Sequence, residues 1–152
     1  MTDEIVVGLD DSPGGEAALR WAADYARLTG WRLRAVHALS WPFGAGSGDQ
    51  RVLSLDEIDH AYRDSITSLF SQIQPRPDWE LQLVKGDAGP VLIEQSKAAR
   101  ALVVGTPSHV GLGRLLTGSV GHHCVRRGKC PVVSVPPDDD DSLSIPPRRT
   151  NA

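Results

Sequence analysis

Three runs of this chain, Ile5-Val6-Val7-Gly8-Leu9, Ala101-Leu102-Val103-Val104-Gly105 and Pro131-Val132-Val133-Ser134-Val135, are apolar and rich in β-branched residues, with almost no polar alternation. A strand that faces water on one side alternates apolar and polar residues. One covered on both faces reads as a continuous apolar run. Residues 32–38 and 80–85 complete a set of five candidate strands, and segments of helical spacing lie between them.

The first helix is expected after Asp10-Asp11. Ser12 is a capping residue, and Pro13 suits the first helical position because no donor is lost there. Ala17, Ala18, Trp21, Ala22, Tyr25 and Leu28 then recur at helical spacing, and Gly30 is a C-terminal stop. The stretch 40–51 is rich in Gly and Ser and reads as a surface loop. Ser54 and Glu57 match a capping box for a second helix, striped by Leu55, Ile58, Tyr62, Ile66, Leu69, Phe70 and Ile73 and ended by Pro75 and Pro77. Asp87 caps a short third helix with Pro90 in its first turn. A last helix spans Ser119 to Arg127 and is closed by Gly128.

Strands alternating with helices imply right-handed crossovers and a parallel sheet covered on both sides. The expected architecture is therefore a three-layer, doubly wound α/β fold with five parallel strands in the order 3-2-1-4-5. Ligands of such sheets sit beyond the carboxyl ends of the strands, where the winding reverses. With this order the reversal falls between the first and fourth strands, so the chemistry is expected from Gly8-Leu9-Asp10 and from Gly105 onward.

The 152 residues suit one domain, assigned to 1–136. Residues 137–152 carry four consecutive aspartates and several prolines, a composition expected to form a disordered tail. The net charge of -3 gives no bulk attraction to nucleic acid or to an anionic membrane, so neither is expected as a partner. No apolar run approaches the roughly 20 residues that a membrane span needs. The acidic start Met1-Thr2-Asp3-Glu4 lacks the features of a secretion signal. Two cysteines, Cys124 and Cys130, cannot build a disulfide framework, and a reducing cytoplasm is the expected location.

Between the fourth strand and the last helix runs a glycine-containing loop that includes Gly105, Ser108, Gly111, Gly113, Arg114, Gly118 and Ser119. Glycines let a ligand approach the backbone. Gly118-Ser119 opens a helix, whose free N–H groups and positive dipole end favour an anion. The Ser119 hydroxyl and the Arg114 guanidinium would add donors to phosphate. On composition alone, tight turns explain the glycines as well as a phosphate does.

The order strand, Gly105, long loop, Gly118-Ser119, helix and Cys130-Pro131-Val132-Val133 resembles the C-terminal half of the universal stress protein family. Its nucleotide-binding members carry Gly, two residues, Gly, nine residues, then Gly-Ser or Gly-Thr. Gly105, Gly118 and Ser119 match that pattern, while Ser108 stands at its middle glycine. The opening Ile5-Val6-Val7-Gly8-Leu9-Asp10-Asp11-Ser12 and Gly86-Asp87-Ala88 resemble the family as well. The resemblance implies an adenine nucleotide alpha hydrolase-like fold that binds ATP, ADP or AMP. It places Gly8, Leu9 and Asp10 on the adenosine and phosphate side and Ala38 against the adenine. Val104, Gly105, Ser108, Gly118, Ser119 and Val120 would wrap the ribose and phosphates. A left-handed backbone at Ser108 would cost about 1–2 kcal/mol, or about tenfold in affinity. With negative φ there, the serine is harmless and its hydroxyl is a further donor.

A carboxylate beside a polyphosphate repels it unless a cation intervenes, so Asp10 is the candidate Mg2+ ligand, with Asp11 in solvent. A helix-capping role explains either aspartate equally well. His122, His123 and Cys124 are adjacent on a helix and point different ways, which excludes a shared metal ion. Cys124 reads as core, Cys130 as partly exposed, and His37 as a structural histidine within an apolar strand.

The function expected from these features is a regulatory ATP-binding module with at most slow hydrolysis, because no nucleophile–base pair or arginine finger stands out. A dimeric interaction module without nucleotide is the alternative that Ser108 favours. A receiver domain is excluded by the absence of an aspartate at Val84-Lys85-Gly86 and of a lysine ending the fifth strand. A dinucleotide dehydrogenase is excluded by the absence of GxGxxG in the first turn. Family members commonly pair through the last strand, so a homodimer through Pro131–Val135 is expected.

Overall fold

A computed structural model describes residues 2–39, 52, 54, 58, 60–107 and 119–138. Its elements run β1 (Glu4–Gly8), α1 (Pro13–Thr29), β2 (Arg32–Leu39), α2 (His60–Gln72), β3 (Glu80–Lys85), α3 (Ala88–Ser96), β4 (Ala101–Gly105), α4 (Ser119–Arg127) and β5 (Val132–Val135). The five strands form one sheet in the order β3-β2-β1-β4-β5. Every neighbouring pair is parallel. The doubly wound architecture expected from the apolar runs is the one observed.

Side chains alternate across each strand, and the sheet sorts them into two cores. Ile5, Val7, Leu33, Ala35, Val103 and Val135 pack with α1 and with Ile66 of α2. Val6, Val36, Val84, Leu102 and Val104 pack with Val91 and Leu92 of α3 and Cys124 of α4. Burial of both strand faces accounts for the missing polar alternation in the sequence.

The helix signals hold where they are local. Ser12 caps α1 by accepting from the Gly15 amide at 3.0 Å, with Pro13 in the first turn. Gly30 closes it with φ 75°, a left-handed conformation that glycine adopts without strain. Gly128 follows α4, and its amide bonds the Cys124 carbonyl at 2.7 Å.

Four expectations are corrected. The buried face of α1 is Ala17, Ala18, Leu19, Ala22, Ala23 and Ala26, whereas Trp21 is 37% and Leu28 85% exposed. Small residues let α1 sit close to the sheet, and the large ones are turned to its flank, where Trp21 stacks on Tyr25 with ring centroids 5.0 Å apart. The second helix begins at His60, with Ile58 in a bend, and not at the Ser54 cap. The chain there is engaged elsewhere, because Val52 bridges Val84 at the edge of β3 in antiparallel fashion. Leu55 and Glu57 lie outside the described residues. Asp87 occupies the N-cap of α3 in an extended conformation, but its side chain makes no capping hydrogen bond. Strand β5 starts at Val132 because Pro131 has no N–H for the ladder, although its carbonyl still accepts from Leu102 at 2.9 Å.

Candidate functional site

At the carboxyl ends of β1 and β4, where the strand order reverses, the fold leaves a cleft of about 310 Å3. That size and place suit a small-molecule ligand. Seven of the residues singled out from sequence line it: Gly8, Leu9 and Asp10 after β1, Ala38 on β2, Val104 and Gly105 on β4, and Val120 in the first turn of α4. Ser119 opens α4 at the same end of the sheet. Ser108, Gly111, Gly113, Arg114 and Gly118 lie outside the described residues.

Sequence reasoning missed Ser12, Gly15, His37, Ala88, Leu92, Thr106 and Pro107, which also line the cleft. The signals were present. Ala88 and Leu92 are four apart on α3, and Thr106-Pro107 directly follows Gly105.

Gly105 has a steric role beyond loop flexibility. A Cβ there would stand 2.3 Å from the Gly14 carbonyl carbon and oxygen, and a Cβ on Gly14 would stand 2.3 Å from the Thr106 oxygen. The first turn of α1 therefore rests backbone to backbone on the end of β4, which closes one wall of the cleft. Glycine on both sides of that contact is the only side-chain choice that permits it.

The Oδ1 oxygen of Asp10 accepts from the Ser12 amide at 3.0 Å and from the Ser12 hydroxyl. Ser12 in turn caps α1, so Asp10 supports the helix start indirectly. A carboxylate has about four acceptor positions. Two are used on one oxygen, and Asp10 is exposed at the cleft, so its donor set fits a hard cation such as Mg2+. Asp11 is exposed and is not among the cleft residues.

His37 is both structural and part of the site. It is 5% exposed, its Nδ1 lies 2.5 Å from the Leu9 carbonyl, and its Nε2 meets the Tyr62 hydroxyl of α2. Burial, then the Asp11 and Asp10 carboxylates, push the Tyr62 phenol above its ordinary pKa and keep it protonated. On α4, His122 is exposed, His123 is half-buried and packs over Gly89, and Cys124 is fully buried. The three diverge as their adjacency requires. Cys130 is partly exposed, and both cysteines are free thiols.

An open parallel sheet with a ligand-sized cleft at the reversal of strand order defines a doubly wound α/β protein. The chain belongs to the universal stress protein family, whose family model matches residues 1–136. A universal stress protein of Mycobacterium tuberculosis strain H37Rv is 35% identical over 161 aligned residues, covering 95% of this chain and 50% of that protein. The chain spans about half the length of the curated relatives it matches. Among solved structures, a universal stress protein in complex with cAMP is 27% identical with a TM-score of 0.59, covering 87% of this chain and 94% of that one. The Archaeoglobus fulgidus universal stress protein in complex with dAMP is 25% identical with a TM-score of 0.58, covering 87% and 96%. Among the described residues, no helix is long and apolar enough to cross a membrane.

Proposed function

We propose that the cleft between β1 and β4 binds an adenine nucleotide, ATP or its products, and that the protein acts as a regulatory binding module. The observation that carries this is the convergence of Gly8, Ala38, Val104 and Gly105 on one ligand-sized cleft at the switch point. Ala38, Leu92, Val104 and Val120 give an apolar slot for a base. The start of α4 brings helix N–H groups to the same end, where phosphates are favoured. The similar structures in complex with cAMP and dAMP support an adenine ligand. Mg2+ would be held by Asp10, and it would neutralise phosphate charge.

Binding with at most slow hydrolysis fits the polar groups on the described wall. Ser12 spends its hydroxyl on Asp10 and Gly15, and His37 spends both ring nitrogens on Leu9 and Tyr62. Neither is left to activate water. Pairing of two chains through the open edge of β5 is part of the same proposal, supported by half-buried Val132 and Val133 at that edge. Two free thiols support a reducing compartment such as the cytoplasm.

Calorimetric titration with ATP, ADP and AMP in the presence of Mg2+ tests the proposal. One saturable site per chain is expected. Flat traces for a folded sample would overturn it and leave the dimeric interaction module.

A further inference from the structure

The Leu9 residue is tied to β2 at both of its backbone groups. Its amide donates to the Val36 carbonyl at 2.9 Å, and its carbonyl meets His37 Nδ1 at 2.5 Å. A carbonyl only accepts, so Nδ1 carries the proton. In the neutral ring Nε2 is then an acceptor, and Tyr62 donates to it. The result is a directional relay from α2 through β2 to the end of β1.

The relay has a consequence at the cleft. The Leu9–Asp10 peptide is planar and trans, so its C=O and N–H point in opposite directions. With the Leu9 carbonyl held toward His37 on β2, the Asp10 N–H points away from that ring, and β4 is the neighbour of β1 on the side away from β2. Among the described residues, the Asp10 amide donates to no loop, cap or turn acceptor. Asp10 and Leu9 both line the cleft.

We propose that His37 is a positioning residue for the bound nucleotide: by holding the Leu9 carbonyl it fixes the Leu9–Asp10 peptide, so that the Asp10 N–H is offered to a sugar or phosphate oxygen of the ligand. Tyr62 completes the device by holding the His37 ring from α2. His37 thus contributes to affinity through the backbone it orients. This rests on the nucleotide function proposed above and adds to it which backbone donor is used and what aims it.

The test combines ring NMR with titration. In the nucleotide-free wild-type protein, long-range proton–nitrogen spectra should show His37 as the Nδ1–H tautomer, and an Nε2–H ring would overturn the assignment. H37F loses the donor to Leu9 and should weaken ATP binding about tenfold, the effect of one hydrogen bond. H37N keeps an N–H near the Nδ1 position and should stay within about threefold of wild type. Y62F, which replaces only a hydroxyl at a partly exposed ring, should fall between them. Wild-type-like affinity for H37F, with its fold verified by urea unfolding, would overturn the role of His37 while leaving the nucleotide proposal intact. A wild-type protein that binds no nucleotide removes both. Adenosine separates the two acceptors: a loss shared by adenosine and ATP places the contact on the ribose, and a loss confined to ATP places it on phosphate.

Discussion

Gly105 shows how one missing side chain serves fold and site together. Its Cα lies against the Gly14 backbone, which cannot swing away as a side chain tip would. G105A should therefore cost about 1–3 kcal/mol of stability from overpacking, read as a lower urea midpoint, and should weaken nucleotide binding because the wall of the cleft must move. Cys124 illustrates the opposite case, a reactive group made inert. Burial, then nearby Cys130, pushes its thiol from 9.0 up to about 11. The unfolded thiol ionises near 9 while the folded one stays protonated, so the folded state binds more protons in that window. Stability from this group is intact below pH 9 and is lost as pH rises to about 11. Urea midpoints measured across that range should fall for wild type and fall less for C124A. At this scale the sequence was readable wherever a local rule decided, as for Ser12, Pro13 and Gly30. It was not readable at Gly14 or His37, whose meaning depends on Thr106, Leu9 and Tyr62, partners brought close only by the fold.

The elements are joined by a few polar ties as well as by their cores. Arg34 on β2 is the clearest. Its guanidinium reaches Glu4 on β1 at 2.8 Å, Gln82 on β3 at 3.2 Å, and Gln95 on α3 at 2.8 Å. Both members of the Arg34–Glu4 pair are largely buried, at 15% and 12% side-chain exposure. Removing one partner strands the other, so R34M should cost about 2–3 kcal/mol, and adding E4Q to it should recover part of that loss. Urea unfolding of the single and double variants gives the comparison. At the opposite edge, V133K places a charge on the open strand β5. If two chains pair there, sedimentation should show V133K as a monomer at concentrations where wild type is a dimer. A wild-type monomer would contradict the pairing. Element type and order were legible because both-face burial and helix caps leave strong local marks. On α1 the expected stripe is buried at Ala17, Ala18 and Ala22 but not at Trp21 and Leu28, because close packing on a sheet selects the alanines over the large residues. The start of α2 was misjudged because Val52 is drawn into a bridge with Val84 of β3, and no local motif announces a bridge.

At the scale of the whole molecule, strand order decides where function can lie. The order β3-β2-β1-β4-β5 leaves neighbouring crossovers on opposite faces at β1 and β4, and the crevice follows from that topology before any side chain is considered. The sequence therefore located the cleft correctly through its fold. The carboxylate, the small residue on β2 and the glycine ending β4 then proved to converge there. Of the polar lining, Ser12 and Thr106 lie next to positions already singled out, whereas His37 is brought to the cleft from the middle of an apolar strand that gives no sign of it. An adenine nucleotide in this crevice would perturb the backbone at the ends of β1 and β4. The most direct measurement is an amide-resolved NMR titration of the protein with ATP and Mg2+. Saturable shifts centred on Gly8, Asp10, Ala38, Gly105 and Val120 are predicted. Saturating ATP that leaves those amides unmoved, or moves only residues remote from the ends of β1 and β4, would contradict it.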